Sequence, residues 1–185
     1  MFAGYQNPAD GSVGADGWFP TGDLGQLDAD GYLSITGRKK DILVTNGGKN
    51  VSPGPMEDRL RANPLISACM VVGDDRPYVA AIVTLDTEAV QQFVARMAPG
   101  LTVTHAAIEG IDLDSAIPVH PTVAAAIVGA VRETNQMVSR AESIRRVRIV
   151  EGDFTEARGL LTPSLKVKRP AVTREYAADI EALYA

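Results

Sequence analysis

Two apolar segments joined by a short polar turn constrain the fold of this chain more than any other feature. Residues 68–72 and 79–85 are almost wholly apolar, and the segment Gly-Asp-Asp-Arg-Pro lies between them. Glycine, aspartate and proline are favoured in tight turns, and apolar runs of this length are typical of strands. The pattern therefore predicts a β-hairpin. Because 45% of the 185 residues are apolar, the chain can bury a core around it.

Further strands are predicted on both sides of this hairpin. A second hairpin is predicted over residues 24–36, because apolar residues alternate with polar ones after the turn Asp-Ala-Asp-Gly. Short strands are predicted over residues 41–45 and 146–150. Residues 1–17 are rich in turn-forming residues and predict a loop, whereas residues 98–120 give no readable pattern.

Helices are predicted where apolar residues recur three or four positions apart. Pro53 opens the first helix, with Met56 and Leu60 on its apolar face. Asp86 or Thr87 caps the second helix, whose apolar side would extend to residue 97.

Two more helices follow. Pro121 opens the longest, with an apolar stripe that continues to Val138, and Thr173 caps the last, which carries Tyr176 and Ile180 on one side. Helices and hairpins are interspersed along the chain, so the predicted fold class is α+β.

Charge and cysteine content exclude some function classes. The net charge of −5 argues against a general nucleic-acid-binding protein, since such proteins carry a basic excess. Cys69 is the single cysteine, so no intramolecular disulfide can form, which indicates a reducing compartment. Because Cys69 lies in an apolar run, we expect a packed, inert thiol.

No metal site is predicted. His105 and His120 cannot complete a zinc site with one cysteine, and we expect both at the surface. Asp28 and Asp30 lack the glycine and glutamate spacing of a calcium loop, so the turn interpretation is preferred there.

The sequence predicts a cytoplasmic location. No secretion signal is visible, and the longest apolar stretch is about half of a membrane span. Arginines at positions 140, 145, 146 and 148 leave two interpretations open. They could contact a membrane surface peripherally, or they could form an ordinary exposed charged face.

The segment GRKKDILVTNGGKNVSP, residues 37–53, places basic residues and a glycine pair around a short apolar run. Its Gly-Gly-Lys resembles the end of a phosphate-binding P-loop. However, Leu43 and Asn50 occupy the positions where that motif requires glycine and Ser or Thr, so this type of loop is excluded. The glycine pair supplies instead a turn with positive φ and a backbone that other groups can approach closely.

Several separated motifs resemble those of the adenylate-forming enzymes, the superfamily of acyl-CoA synthetases, luciferases and peptide-synthetase adenylation domains. They are FAGYQNPAD near the start, GWFPTGDLGQLDADGYLSITGRKKDILVTNGGKNVSP after it, and LLTPSLKVKRP near the end. Within the superfamily, the end of the long segment and the last segment are most similar to the long-chain fatty acyl-CoA ligases.

The resemblance implies two structural parts. Residues 1–38 would be the terminal strands of a β-rich large N-terminal domain, and they would be poorly anchored without it. Residues 39–185 would form a small mixed α+β lid domain with antiparallel hairpins and flanking helices. The lid would rotate about a hinge at Lys40 between two reactions.

The resemblance also assigns binding roles. Asp23 would hold the ribose hydroxyls of ATP, since a carboxylate can accept two bonds from a cis-diol. Arg38 would contact the ribose and phosphates. The loop that lines the path of the pantetheine arm of coenzyme A would consist of Gly47, Gly48 and Lys49.

Lys166 resembles the catalytic lysine of the family, which bridges the substrate carboxylate and the α-phosphate. A lysine between two anions stabilises the charge that develops at phosphorus. Lys168 and Arg169 are expected to be solvated or accessory to phosphate. The sequence has Pro-Ser-Leu-Lys where many members of the superfamily have a Ser-Gly-Lys ending.

The resemblance thus implies a C-terminal fragment of a long-chain fatty acid–CoA ligase, inactive alone. The partners would be the missing N-terminal domain, ATP with Mg²⁺, a fatty acid and coenzyme A, and the Mg²⁺ ligands would lie outside this chain. Two alternatives stay open. One is the lid of an enzyme that adenylates an aryl or amino acid, and the other is a non-catalytic binding module with the same fold.

Overall fold

A computed structural model describes residues 13–97, 100, 102–108 and 110–185, and it divides the chain into two compact units, Met1–Ile42 and Leu43–Ala185. Most of the loop predicted over residues 1–17 lies outside the described residues. Within the described part of the chain, no helix has the length and apolar character needed to cross a membrane.

The first unit is a β-hairpin followed by a short 3-10 turn. Strand β1, Asp23–Leu27, pairs antiparallel with β2, Leu33–Arg38, and the 3-10 turn covers Lys39–Asp41. The Asp28 carboxylate accepts hydrogen bonds from two backbone N–H groups within the connecting turn, which confirms the turn interpretation. Among the described residues of this unit, no side chain is fully buried.

The second unit is built on a five-stranded mixed sheet. Its strands are β5 Ile66–Val72, β6 Val79–Leu85, β7 Val103–Ile108, β8 Ile111–Val119 and β9 Ile144–Ile149. Across the sheet the order is β5-β6-β9-β8-β7, with two antiparallel hairpins joined by β9, which runs parallel to both neighbours. A separate small ribbon pairs β3, Leu43–Val44, with β4, Asn50–Val51.

Helices cover both faces of this sheet. They are α1 Pro53–Arg61, α2 Thr87–Val94, α3 Pro121–Asn135, α4 Arg169–Glu175 and α5 Ala177–Ala182. Alternate side chains of β5 enter two different cores, because successive residues of a strand point to opposite faces. Cys69 and Val71 pack with α1 and α3, whereas Met70 and Val72 pack with α4 and α5.

Many predicted elements are confirmed. The two predicted hairpins, the helix that Pro53 opens and the helix that Pro121 opens are all present, and the α+β class is correct. Asp86 caps α2 by accepting a hydrogen bond from the N–H of Ala89. Cys69 is buried, as expected.

Other predictions were wrong. Thr173 does not cap a helix but lies inside α4, which begins at Arg169 because a proline in its first turn loses no hydrogen bond. A break at Tyr176 then separates α4 from α5. Met97 and Val138, which the spacing places on helical stripes, lie beyond the ends of their helices.

Three strands, β4, β7 and β8, went unrecognised, and one histidine was misplaced. The unreadable stretch contains the hairpin of β7 and β8, and the glycine pair forms the turn of the β3–β4 ribbon. His120 is half-buried rather than at the surface, because its ring caps the N-terminus of α3 by accepting a hydrogen bond from the N–H of Thr122.

Candidate functional site

Lys166 lies in a short loop that closes on itself. Thr162 donates its N–H to the carbonyl of Lys166 at 2.8 Å and accepts the N–H of Lys166 through Oγ1 at 3.0 Å. An antiparallel bridge between Leu161 and Val167 closes the base of the loop. The backbone at Lys166 is therefore held on both its donor and its acceptor side, while its side chain is exposed.

The conformation at the loop tip is unusual. Leu165 has φ of 60°, in the left-handed region, and its N–H bonds to the carbonyl of Thr162 at 2.8 Å. Its side chain is 68% exposed. The loop thus presents a large apolar side chain and an ammonium group at adjacent positions.

Both ends of the Lys166 loop are anchored to the fold. Leu160 is buried in the core beneath α4 and α5, and its carbonyl accepts the N–H of Lys168 at 2.8 Å. Arg169 contacts the Glu57 carboxylate, Nη1 to Oε1, at 2.6 Å. The expectation that Arg169 is solvated or accessory to phosphate was wrong in its first part, because its side chain is 22% exposed and ion-paired.

The glycine pair lies in the turn of the β3–β4 ribbon. Thr45 organises this turn: its carbonyl accepts the N–H of Gly48 at 2.8 Å, and its Oγ1 accepts the N–H of Lys49 at 3.2 Å. Gly48 has φ of 73°, which confirms the predicted turn with positive φ. A Cβ built at Gly47 would lie 3.9 Å from Oγ1 of Thr45, an ordinary van der Waals contact, whereas one at Gly48 would meet no atom within 4 Å.

Contacts with two other segments hold this ribbon in place. Val44 donates its N–H to the Asp74 carboxylate at 2.9 Å, and Asn46 donates to the carbonyl of Arg76 at 2.9 Å. The Lys49 ammonium lies 3.4 Å from the Glu142 carboxylate. Hydrogen bonds from Ser139, with a smaller contribution from Lys49, lower the pKa of Glu142.

In the first unit, the predicted nucleotide-binding residues lie opposite each other across the hairpin. Asp23 and Arg38 are register partners, and Nε of Arg38 lies 2.9 Å from Oδ1 of Asp23. The side chains are 28% and 61% exposed, respectively. A carboxylate that accepts hydroxyl bonds and a guanidinium that binds anions therefore stand side by side.

Lys40 lies in the 3-10 turn, two residues before the boundary between the two compact units. Its side chain is exposed. The place in the chain suits a hinge, and that role stays a prediction.

Among the described residues, neither the cysteine thiol nor the possible metal ligands form a reactive centre. Burial is the main cause that raises the pKa of the Cys69 thiol to about 12, so this thiol is held neutral in the interior. In the part of the chain that the structure describes, no group of three metal-binding side chains comes together.

Sequence reasoning missed the residues that hold the loops. Thr162 lies four positions before Lys166, and its place in the Thr-Pro-Ser turn was a signal that could have identified it. No local signal identifies Glu57, because it lies 112 positions from Arg169.

Comparison with known proteins decides the family. The family described as AMP-binding enzyme C-terminal domain matches residues 40–185. The chain belongs to this family. Residues 1–39 lie outside the match to the AMP-binding C-terminal domain.

Two relatives illustrate the similarity of this AMP-binding C-terminal domain to ligases. The whole chain is 47% identical to a long-chain-fatty-acid–CoA ligase, FadD15 of Mycobacterium tuberculosis, and it covers 30% of that protein. It is 37% identical to the long-chain-fatty-acid–CoA ligase ACSBG2 of Gallus gallus, again over its full length, and covers 26% of it. The chain thus spans less than a third of the length of these curated relatives.

Solved structures support the fold of the AMP-binding C-terminal domain. The adenylation domain of a carboxylate reductase from Mycobacterium chelonae matches the whole chain with a TM-score of 0.73 at 23% identity, and the match covers 26% of that structure. A didomain of a carboxylic acid reductase from Segniliparus rugosus, solved with AMP, matches 94% of the chain with a TM-score of 0.66 at 25% identity, covering 21% of that structure.

Proposed function

We propose that this chain is the C-terminal part of an ATP-dependent long-chain fatty acid–CoA ligase. The observation that carries the proposal is the Lys166 loop, whose backbone is fixed by Thr162 while the ammonium group extends into solvent. Among the described residues, no carboxylate lies within ion-pairing distance of Lys166, so its charge is available to external anions. Similarity to fatty-acid–CoA ligases over the full chain supports this choice of substrates.

Lys166 would serve the first of two steps. In that step a fatty carboxylate attacks the α-phosphorus of ATP, supplied as its Mg²⁺ complex, and pyrophosphate leaves. The two reactants are both anions, so an ammonium group between them lowers the barrier by stabilising the charge at phosphorus. The closed backbone of the loop would hold that group in place with little loss of entropy on binding.

The β3–β4 ribbon would serve the second step. Here the coenzyme A thiol displaces AMP from the acyl-adenylate and forms the thioester. The absence of Cβ atoms at Gly47 and at Gly48, around which there is open space, would let the narrow pantetheine arm pass, and the Lys49 ammonium would stay paired with Glu142. Rotation of the lid at Lys40 would exchange the Lys166 loop for this ribbon, so one site could serve two transition states.

The first unit would be completed by a larger N-terminal domain. This unit exposes large apolar side chains, namely Trp18 before the hairpin and Leu27, Tyr32, Leu33 and Ile35 within it. An exposed apolar surface of this kind is typical of a segment that packs against another domain. In that setting Asp23 and Arg38 would reach the ribose and phosphates of ATP.

Peripheral contact with a membrane receives less support from the basic residues than their number suggests. Arg146 pairs with Asp112, and Arg148 pairs with Asp114 and Asp179, so only the arginines at 140 and 145 present exposed side chains. Of the two interpretations left open, the exposed charged face holds for Arg140 and Arg145 and fails for Arg146 and Arg148. A cytoplasmic enzyme remains our proposal, and Arg140 and Arg145 are the two of these arginines that would serve a peripheral membrane contact.

The role of Lys166 can be tested in the intact ligase that contains this chain. Lys166→Ala should lower the rate of adenylation by about 10²–10³-fold, a loss typical of removing one charge-stabilising group from a transition state. Thioester formation from supplied acyl-adenylate should change by less than about threefold, since the charge at phosphorus does not develop in that step. The two half-reactions are followed by pyrophosphate release and by acyl-CoA formation.

The matched control is Arg174→Ala, which removes an exposed cation of α4 to which no role is assigned and should leave both half-reactions unchanged. Equal losses in the two half-reactions of Lys166→Ala would contradict the assignment.

A substrate panel of long-chain, aryl and amino acids decides the acid class, and preference for an aryl or amino acid would favour the alternative ligase. The 185-residue chain alone should release no AMP.

A further inference from the structure

An ion pair between α1 and the start of α4 occupies the free edge of the central sheet. Strand β5 is an edge strand, so alternate backbone groups along one side have no strand partner. At Val71 both groups are satisfied by side chains: the Glu57 carboxylate accepts its N–H at 2.8 Å, and the Arg169 guanidinium donates to its carbonyl. The Glu57–Arg169 pair thus bonds to the edge strand as a neighbouring strand would.

This pair is too enclosed to be an ordinary surface contact. The side chains of Glu57 and Arg169 are 13% and 22% exposed, and Nη1 lies 2.6 Å from Oε1. Arg169 is also the first residue of α4, where a positive charge is disfavoured by the helix dipole. Removing either partner would leave an enclosed charge without compensation and a backbone group of Val71 unpaired.

Each partner lies on the helix that follows one of the two loops to which we assign catalytic steps. Glu57 lies in the first turns of α1, which begins two residues after β4 of the glycine ribbon. Arg169 lies three residues after Lys166. One ion pair therefore attaches the helix after each loop, α1 or α4, to Val71 of β5.

We propose that Arg169 and Glu57 are positioning residues that set the location of the Lys166 ammonium relative to the sheet. The effect of this positioning on catalysis rests on the function proposed above. The mechanical link between the ion pair and the Lys166 loop is independent of that function. The chain between Arg169 and the loop is short, since only Val167 and Lys168 intervene. Displacement of a catalytic group by about 1 Å can cost about a hundredfold in rate, so such an anchor matters for chemistry as well as stability.

The mechanical link is tested on the 185-residue chain by hydrogen–deuterium exchange resolved to single amides. Arg169→Met should accelerate exchange at the hydrogen-bonded amides of the loop, those of Thr162, Leu165 and Lys166, by about tenfold or more. Without the ion pair, the loop can open on its own, whereas with the pair it opens only when its attachment to the edge strand β5 is broken. Unchanged protection of these amides would overturn the proposal.

The matched control is Arg148→Met. Arg148 is comparably enclosed, with 17% of its side chain exposed, and it pairs with Asp114 and Asp179 instead of residues near the loop. It should lower global stability without selective exchange at the Lys166 loop. Equal acceleration in both variants would mean general destabilisation and would also overturn the proposal.

The catalytic consequence is tested in the intact ligase. Arg169→Met should lower kcat of adenylation by about tenfold to a hundredfold while KM for ATP changes by less than about twofold, since the ammonium is misplaced but binding groups remain. Arg169→Lys should recover part of the loss, because lysine keeps the charge but not the two-pronged geometry. Glu57→Gln should resemble Arg169→Met.

These results separate the inference from the proposed function. If Lys166→Ala leaves adenylation intact, the proposed function fails, and the exchange experiment still decides whether the pair holds the loop. If Lys166→Ala abolishes adenylation and Arg169→Met accelerates loop exchange but leaves kcat unchanged, the positioning role is overturned while the proposed function stands.

Discussion

Leu165 adopts a backbone conformation that costs free energy for any residue with a side chain. The left-handed region brings Cβ close to the following carbonyl oxygen, at a cost of about 1–2 kcal/mol that glycine avoids. Leu165 has φ of 60° and gains no burial in return, since it is 68% exposed. The sequence has leucine at the position where the Ser-Gly-Lys pattern has glycine. Leu165 thus adopts, without being glycine, a conformation that glycine takes without this cost.

This strain gives a ranking of substitutions at one position. Leu165→Gly should raise the free energy of unfolding by about 0.5–1 kcal/mol, because relief of strain exceeds the added entropy of the unfolded chain. Leu165→Val should lower it by about 1 kcal/mol, since a β-branched side chain fits this region worse. Denaturant unfolding of the 185-residue chain measures both.

The control is Arg174→Gly, at an exposed helical position in α4, which should be destabilising by about 1 kcal/mol. If glycine at position 165 destabilised the chain as much as glycine at position 174, the backbone at Leu165 would not be strained.

At the scale of elements, one hydroxyl bridges the irregular start of the pairing between β5 and β6. The pairing register shifts between Ile66 and Ala68, which interrupts the regular ladder. There the Thr84 hydroxyl accepts the N–H of Ala68 at 3.0 Å and donates to the Asp153 carboxylate at 2.8 Å. Thr84 is fully buried, so its hydroxyl replaces a ladder bond where water does not reach.

Thr84→Val should therefore lower the free energy of unfolding by about 1–3 kcal/mol, because it leaves a buried N–H without an acceptor at nearly constant side-chain volume. The matched control is Thr134→Val. Thr134 is equally buried, but its hydroxyl only adds a second bond to the carbonyl of Ala130 within α3, so the loss should stay below about 1 kcal/mol. Equal losses in the two variants would contradict the role of Thr84 in the sheet.

The elements that sequence reasoning recovered are those whose signal is local. The β5–β6 hairpin combines two apolar runs with its own turn, and α1 and α3 begin at prolines, so neighbouring residues suffice to define each one. The β7–β8 hairpin is different. Its strand β8 pairs with residues of β9 that lie 34 positions later in the chain. The alternation of Ile111 and Leu113 with two aspartates is a local strand signal, but it breaks at Ser115, which is buried although polar, and at Pro118, so the stretch was not recognised.

The candidate site divides in the same way. Motif resemblance predicted Lys166 and the glycine pair as site residues, because these residues stand in contiguous patterns. It could not identify what holds them, since the Glu57–Arg169 pair and the Lys49–Glu142 pair join residues about a hundred positions apart. Arg169 in particular is predicted from the sequence to be a solvated cation, and only the structure shows that it bonds to the edge strand β5.

At the scale of the whole molecule, the buried core is confined to one unit. Fully buried apolar residues begin at Leu43 and continue to Leu183, and the described part of the first unit contributes none. The first unit is a two-stranded hairpin with exposed apolar side chains, and isolated hairpins of this kind are marginal in water. The free energy of folding should therefore reside almost wholly in residues 43–185.

Truncation tests this distribution of stability. A chain of residues 43–185 should unfold in one cooperative transition, with a free energy of unfolding within about 1 kcal/mol of the 185-residue chain, because the described part of residues 1–42 contributes no fully buried side chain. Circular dichroism during urea unfolding measures both. Removal of residues 161–185 is the matched control, since it deletes buried Val172, Tyr176, Ile180 and Leu183 and should abolish the cooperative transition. A loss of several kcal/mol on removing residues 1–42 would contradict the prediction. If the prediction holds, folding of the second unit does not require the first, as a lid that moves as a rigid body between two steps would need. The exposed hairpin would then depend for its order on the larger domain that we propose packs against it.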